Sequence, residues 1–179
     1  FNMKNKNWVK KMGNTIQNKK FGIIGYGKVG KYLAKILKGM GVKLIINDKI
    51  KLKLQNFKSL NYLLSQSDII AICMNFDGKK YFLNKKKIKK IKKDAILINT
   101  SRANLIDNNY LYSVLKSNKN FRVALDVYDK EPYYGKFCKL NNTLLTPHIA
   151  GYAKEIREKM EEEAIYRIIQ EIKAWRLIK

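Results

Sequence analysis

The 179 residues (21.0 kDa) are enough for one domain with a buried core, and an apolar fraction of 46% argues against disorder throughout the chain. No apolar run is long enough to span a bilayer, and the polar first twenty residues contain no apolar segment typical of a secretory signal, so we expect no membrane protein. The net charge of +24 would suit an anionic partner, but the basic residues are 33 Lys and only 5 Arg, a composition typical of A/T-rich coding sequence, so it is weak evidence for nucleic-acid binding.

Short apolar runs of strand length alternate with segments of helical periodicity along most of the chain. Strands are predicted at residues 21–24, 42–46, 69–73, 95–99, 123–127 and 144–145. Between them lie helical segments, of which two are predicted to start at the N-caps Ser59 and Asp107, and a last helix is predicted over 153–179. Strands that are apolar on both faces and alternate with helices are typical of parallel sheets. The sequence therefore predicts an α/β fold with a doubly wound parallel sheet, flanking helices and a long C-terminal helix.

A glycine-rich loop follows the first predicted strand. It reads Gly25-Tyr26-Gly27-Lys28-Val29-Gly30, a helix starts within it, and Asp48 follows the next strand, 18 residues past Gly30. In a dinucleotide-binding fingerprint the glycines allow a tight turn close to a pyrophosphate, and the acid accepts hydrogen bonds from the ribose hydroxyls. The pattern predicts a Rossmann-type fold that binds NAD rather than NADP, because the Asp48 carboxylate repels a 2′-phosphate, although nearby lysines weaken that preference. A glycine turn that binds no ligand is the alternative.

Three segments of the second half carry polar residues next to predicted strands. They read Ile98-Asn-Thr-Ser-Arg-Ala-Asn-Leu-Ile-Asp107, Ala124-Leu-Asp-Val-Tyr-Asp-Lys-Glu-Pro132 and Thr146-Pro-His-Ile-Ala-Gly151. In order and spacing they resemble, together with the glycine loop and Trp8-x-x-x-x-Gly13, the blocks of the NAD-dependent D-isomer-specific 2-hydroxyacid dehydrogenases, a family that includes D-3-phosphoglycerate dehydrogenase. The resemblance runs from about Trp8 into the final helix.

The resemblance implies that Arg102, Glu131 and His148 are the catalytic residues of an oxidoreductase that moves a hydride between NAD and a D-2-hydroxy acid or 2-keto acid. Their chemistry agrees with these roles. The hydroxyl proton must be removed by a base that titrates near neutrality, and His148 is the only histidine of the chain. Glu131 would orient the imidazole, and Arg102 would bind the substrate carboxylate and polarise the carbonyl. The alternative is that all three are ordinary surface and loop residues.

The resemblance also implies a set of cofactor contacts. Backbone N–H groups of Lys28 and Val29 would face the pyrophosphate, the Met74 backbone would line the adenosine side, and Asp126 would hold the nicotinamide carboxamide. The full set of implied cofactor-binding residues is Gly25, Tyr26, Gly27, Lys28, Val29, Gly30, Asp48, Met74, Thr100, Ser101, Arg102, Asp126, His148 and Gly151. No metal site is predicted.

The chain departs from the family pattern at two positions near the implied site. Cys73-Met74-Asn75 stands where members often show His-x-Pro, and we expect Cys73 to be a buried structural cysteine rather than a reactive thiol. Ala103 follows Arg102 where glycine is usual, and an alanine would be strained there if the position requires a positive φ.

We divide the sequence into a linking segment at 1–18, an NAD-binding domain at 19–152 and a C-terminal helix at 153–179. Members of the family have a second domain that binds the substrate, to which this helix would return. We expect that domain to be absent from this chain, which opens on Phe1 rather than on Met. A truncated or decayed dehydrogenase, now a non-catalytic NAD-binding or partner-binding module, is the alternative function.

The expected partners are a small 2-hydroxy or 2-keto acid and, by resemblance, a second subunit in a homodimer. We expect no nucleic acid and no membrane. Seven of the nine residues from Lys85 to Lys93 are lysines, but we interpret this run as a solvated helical turn held by Ile88 and Ile91 rather than as a patch for RNA or anionic lipid. The two cysteines are far apart in the sequence, which favours a reducing cytoplasm.

Overall fold

The computed structural model describes residues 10, 12–75, 78 and 81–177, so that Trp8 of the expected linking segment lies outside the described part. Its centre is a six-stranded sheet in which every pair of neighbours is parallel, in the order β2-β1-β3-β4-β5-β6. The strands are β1 (Lys20–Ile24), β2 (Lys43–Asn47), β3 (Ile69–Ile72), β4 (Ile96–Asn99), β5 (Arg122–Leu125) and β6 (Thr143–Leu145). The order reverses between β1 and β3, which confirms the Rossmann-type doubly wound sheet.

Five α-helices accompany the strands within the described ranges. They are α1 (Lys28–Gly39), α2 (Leu60–Gln66), α3 (Lys85–Ile88), α4 (Asn108–Ser117) and α5 (Lys154–Leu177). The two predicted N-caps are confirmed: the side chain of Ser59 accepts a hydrogen bond from the Tyr62 N–H, and that of Asp107 accepts one from the Tyr110 N–H. Short 3₁₀ turns follow at Ala103–Leu105 and Lys136–Lys139.

Both faces of the sheet are covered by apolar side chains. On one face Ala34 and Leu37 of α1 pack with Phe21, Ile23 and Ala71. The larger cluster on the other face takes residues from α2, α3 and α4, including Leu63, Leu64, Ile88, Leu111 and Leu115. The alternation of residues along β1 between the two clusters explains why the strand reads as a continuous apolar run.

The lysine run lies on α3 and the turn after it. Ile88 and Ile91 are buried in the core, as the sequence predicted, while Lys92 Nζ pairs with Asp68 Oδ1 at 2.7 Å. The run is thus anchored by its two isoleucines.

Helix α5 differs from the other helices because all its side chains from Lys154 to Trp175 are exposed, including Ile156, Met160, Ile168 and Ile172. The apolar residues of the predicted helix therefore contact little of the described body. None of the helices in the described ranges is long and apolar enough to cross a membrane.

Candidate functional site

The glycine loop joins β1 to α1 next to the point where the strand order reverses. Gly25 has a φ of +94°, and a Cβ atom there would lie 2.6 Å from the backbone nitrogen of Met74. A Cβ atom on Gly30 would overlap the carbonyl oxygen of Gly25. Side chains are therefore excluded at both positions by backbone, and the loop is held against the end of β3 where Met74 lies.

The front of the same loop, which we define as the space around Gly27 and the start of α1, is open. A Cβ atom on Gly27 would have no atom within 4 Å, and no side chain caps the start of α1 among the described residues. The first N–H groups of a helix have no partner within the helix and carry partial positive charge. Lys28 and Val29 supply two of these groups, so the open space in front of Gly27 fits the pyrophosphate of a dinucleotide.

The Asp48 carboxylate lies beside this loop, directly after β2. Its Oδ2 accepts the Tyr26 N–H at 2.6 Å, and its Oδ1 accepts the Ile50 N–H at 3.0 Å. Partial burial raises the pKa of Asp48, but hydrogen bonds from backbone N–H groups and the charge of Lys49 outweigh it and lower the pKa overall. The group is therefore ionised at neutral pH, and each oxygen keeps a lone pair that could accept a ribose hydroxyl.

A second carboxylate, Asp126, holds the loop that carries His148. Asp126 is only 3% exposed; its Oδ1 accepts the Thr146 hydroxyl at 2.5 Å and the Ile149 N–H at 2.9 Å, while Oδ2 accepts the Ala150 N–H at 2.9 Å. Burial raises the pKa of Asp126, yet these three bonds and the charge of His148 lower it overall. The sequence predicted only a contact with the carboxamide, which stays a prediction; the structure adds that Asp126 binds the backbone after His148 and the Thr146 side chain before it.

His148 has a φ of +54°, in the left-handed region that few residues other than glycine adopt. Its Nδ1 lies 2.8 Å from Glu131 Oε2, and the Tyr128 N–H donates to Glu131 Oε1 at 3.0 Å. The bond with His148 and then the bond from Tyr128 lower the pKa of Glu131, so that the carboxylate stays ionised. This arrangement assigns the proton of a neutral imidazole to Nδ1 and leaves Nε2 as the proton acceptor.

Arg102 lies across a small cavity from this pair. The cavity, of about 340 Å³, is lined by Arg102, Glu131 and His148 together with Asn104 and other residues from the ends of β4 and β5. The guanidinium donates from one nitrogen to the neighbouring Ser101 carbonyl at 2.7 Å, and no carboxylate pairs with it among the described residues. The structure therefore brings the three implied catalytic residues to one cavity with a guanidinium available for an anion.

Thr100 and Ser101, implied for the nicotinamide side, follow β4 between the glycine loop and this cavity. Thr100 is exposed, whereas the Ser101 hydroxyl donates to the Ile72 carbonyl at 2.8 Å and thereby links the ends of β3 and β4. Gly151, at the far end of the His148 loop, is exposed.

Two expectations about the departures from the family pattern can be compared with the structure. Ala103 does not have a positive φ, because it starts a 3₁₀ turn after an extended Arg102, so the expected strain is absent at this position. Burial raises the pKa of the Cys73 thiol to about 11, which agrees with a structural rather than a reactive cysteine.

Asp126→Asn is expected to destabilise the fold at neutral pH. The amide would present an NH₂ group to one of the N–H donors that the carboxylate accepts, so we expect a loss of about 2 kcal/mol in the free energy of unfolding, typical of a hydrogen bond to a charged group. Because the pKa of Asp126 is lowered in the folded state, its contribution is complete above the unfolded value of about 3.9 and is lost as the pH falls through the folded pKa. Urea unfolding at pH 7 and pH 3 should show the difference from wild type shrinking at the lower pH.

The matched control is Asp129→Asn. Asp129 is exposed and accepts a hydrogen bond from the side chain of Asn108 alone among the described contacts, so the loss should stay below about 1 kcal/mol. Equal losses for the two variants would contradict a special role of Asp126.

Comparisons with known proteins show which proteins this chain is similar to. Residues 2–150 match the family described as D-isomer specific 2-hydroxyacid dehydrogenase, NAD binding domain. The chain is 41% identical over 151 residues to an erythronate-4-phosphate dehydrogenase of Wigglesworthia glossinidia brevipalpis, covering 79% of this chain and 39% of that protein. It is 36% identical over 162 residues to a glyoxylate reductase of Thermococcus litoralis, covering 84% and 48% respectively.

A solved structure of an acyclic imino acid reductase in complex with NADPH and D-Arg superposes with a TM-score of 0.87 at 31% identity. The match covers 97% of this chain and 58% of that one. The chain thus spans less than two thirds of the length of each of these relatives.

Proposed function

Because the chain belongs to the D-isomer specific 2-hydroxyacid dehydrogenase family and contains its NAD-binding domain, we propose that it supplies the cofactor-binding and proton-transfer half of an oxidoreductase. The proposed reaction interconverts a D-2-hydroxy acid and a 2-keto acid with NAD. The observation that carries the proposal is the 2.8 Å contact of His148 with Glu131 in the cavity that Arg102 also lines.

In the oxidative direction His148 Nε2 accepts the proton of the substrate hydroxyl. The resulting imidazolium is stabilised by the ionised Glu131 at Nδ1, and in the reductive direction it returns the proton to the developing alkoxide. Bound NAD supplies the hydride acceptor, at C4 of its nicotinamide ring. Arg102 binds the substrate carboxylate and polarises the keto group, since its guanidinium presents several N–H donors in one plane.

The remaining predicted contacts complete the proposal for the cofactor. The open front of the glycine loop holds the pyrophosphate, Asp48 accepts the ribose hydroxyls, and Asp126 keeps one lone pair on Oδ2 that could accept the carboxamide N–H. These contacts agree with the residues that the fold brings to the carboxyl ends of its strands, where open α/β sheets bind ligands.

Asp48→Ala is expected to weaken NADH binding by about tenfold, equivalent to about 1.4 kcal/mol, because the ribose hydroxyls lose a charged acceptor. The relative affinity for NADPH should rise, since the carboxylate no longer repels a 2′-phosphate. Fluorescence titration of NADH and NADPH against the purified chain measures both effects.

The control for this experiment is Asp94→Ala, which removes the same charge at an exposed position. Asp94 lies just before β4, at the amino-terminal ends of the strands, whereas Asp48 lies at a carboxyl end. It should bind NADH as the wild type does. An unchanged NADH affinity in Asp48→Ala would contradict the assigned role.

We further propose that the whole protein has a substrate-binding domain. Residues 1–18 link that domain to the NAD-binding domain, and α5 returns to it. The exposed apolar side chains of α5 support this, because a helix in water does not normally leave so many of them uncovered. A homodimer and a reducing compartment, the latter favoured by two free cysteines, complete the proposal.

A non-catalytic NAD-binding or partner-binding module is the second candidate. The exposed face of α5 also suits a binding partner. Assays of NADH oxidation with glyoxylate, hydroxypyruvate and larger 2-keto acids decide between the two: NADH binding without turnover in the complete natural protein would favour the module.

A further inference from the structure

The acid–base pair is held by hydrogen bonds rather than by close packing. The side chains of His148 and Glu131 are 51% and 37% exposed, and the cavity that both residues line lies directly beside them. An exposed imidazole normally rotates among several conformations, and this rotation lowers the fraction of molecules in which the ring is oriented for proton transfer. Whatever fixes the two groups must therefore act through the backbone and through polar contacts.

Tyr128 makes a polar contact with Glu131 directly and with the turn of His148 through Thr146. Its backbone N–H donates to Glu131 Oε1 at 3.0 Å. Its phenol oxygen lies 2.9 Å from the Leu125 carbonyl and 3.0 Å from the Thr146 carbonyl, so that the single hydroxyl proton is shared between them. The Thr146 carbonyl also accepts the His148 N–H at 3.0 Å, and the phenol thus acts at the base of the turn that carries the imidazole.

The tyrosine itself is well fixed. Its ring stacks on Tyr133 with a centroid distance of 4.3 Å and an angle of 11° between the planes. Tyr128 lines both the cavity of about 340 Å³ and a larger one of about 590 Å³, which Tyr133 and Pro147 also line. Burial, followed by the charge of Asp126, raises the pKa of Tyr128 to about 12, so the phenol remains a hydrogen-bond donor at physiological pH.

The turn at His148 needs such support. A left-handed φ is unfavourable for residues other than glycine, and it persists only where several contacts impose it. Asp126 imposes it from the C-terminal side through Ile149 and Ala150. The contact of the Tyr128 phenol with Thr146 acts from the N-terminal side.

We propose that Tyr128 is a positioning residue for proton transfer, with its backbone N–H fixing Glu131 and its phenol fixing the turn of His148, so that one residue sets the distance between the two groups. The inference rests on the proposed function, because it assumes that the His148–Glu131 pair transfers the proton. Phenylalanine at this position keeps the ring and the backbone N–H and removes only the bonds of the phenol to the Leu125 and Thr146 carbonyls.

The tautomer of His148 provides a direct test, because the chain has a single histidine and its imidazole signals need no assignment. At alkaline pH, ¹H–¹⁵N correlation spectra of the chain distinguish an imidazole proton on Nδ1 from one on Nε2. The wild type should carry it on Nδ1, facing Glu131. In Tyr128→Phe the Nδ1-protonated fraction should fall, and in the complete natural protein kcat should fall by about tenfold with the KM of the keto acid little changed.

Tyr133→Phe is the matched control. It removes the other hydroxyl of the same stacked pair, which accepts the Phe137 N–H and does not contact the Thr146 carbonyl. It should keep the wild-type tautomer. Glu131→Ala removes the hydrogen-bond acceptor at Nδ1 altogether and should shift the tautomer most.

The outcomes separate this inference from the proposed function. A shift in Glu131→Ala with none in Tyr128→Phe would overturn the role of Tyr128 and leave the acid–base pair intact. If Glu131→Ala also retained the wild-type tautomer, the pair itself would be disproved, and the proposed function and this inference would both fall. A shift in Tyr133→Phe as large as that in Tyr128→Phe would likewise overturn the inference.

Discussion

Replacing His148 by asparagine should lower the turnover of a 2-keto acid by about 10²–10⁴-fold, the usual contribution of general acid–base catalysis, and should leave NADH affinity within about twofold of the wild type. Asparagine is the informative choice because it tolerates the left-handed φ of +54° better than other residues. Alanine would remove the imidazole as well, but it would also strain the turn. The measurement is steady-state NADH oxidation in the complete natural protein, with NADH affinity measured by fluorescence.

The assigned role of His148 would fail if the asparagine variant retained turnover. It would also fail if the variant lost NADH binding while its circular dichroism remained that of the wild type, because the loss of turnover would then follow from the missing cofactor. Comparison with His148→Ala separates chemistry from conformation: both variants should be equally inactive, and only alanine should reduce the free energy of unfolding, by about 1 kcal/mol.

The second large effect is expected in the glycine loop. Gly30→Ala would place a methyl group on the carbonyl oxygen of Gly25, a backbone atom that cannot move without displacing the loop. We expect a loss of about 3 kcal/mol or more in the free energy of unfolding, at the upper end of overpacking effects, together with loss of NADH binding. Urea unfolding and NADH titration measure the two consequences.

Two other glycines, one at each end of α1, separate the effect of a substitution on the fold from its effect on NADH binding. Gly27→Ala adds a methyl group to the open space in front of the loop, so the fold should be kept while NADH binding weakens by at least about tenfold. Gly39→Ala adds one at the far end of α1, also with no atom within 4 Å, and should bind NADH normally. Wild-type NADH affinity in Gly27→Ala would show that the pyrophosphate does not lie against this loop.

Local pattern was enough to predict most of the fold. The apolar runs located all six strands within about two residues, and Ser59 and Asp107 cap α2 and α4 as their side chains predicted. These features depend on neighbouring residues in the sequence, and for that reason a sequence shows them. The spacing of Arg102, Glu131 and His148 after successive strands likewise places them at one end of a parallel sheet.

The contacts that orient the site were not predictable in the same way. Asp126 reaches Ile149 and Ala150, and the Tyr128 phenol reaches Thr146, across separations of 18 to 24 residues. Both sets of contacts depend on the register of β5 against β6. The periodicity of the sequence does not determine that register. Whether Ala103 would be strained was open for a related reason, since the backbone angle of a loop residue depends on the turn that it enters, and the structure shows that the condition of a positive φ is not met.

The strand order also imposes an order along the ligand. Across the sheet, Asp48 follows β2, the glycine loop follows β1, Met74 follows β3, Arg102 follows β4, and Glu131 and His148 follow β5 and β6. Neighbouring strands are about 4.8 Å apart, so these groups form a nearly linear series that extends over about 24 Å. Under the proposed function, the two ends of that series would serve different parts of the reaction, so that substitutions after β5 and β6 would change proton transfer while the nucleotide end kept its affinity. Affinity for the nucleotide and proton transfer would then be separately variable along one axis of the sheet.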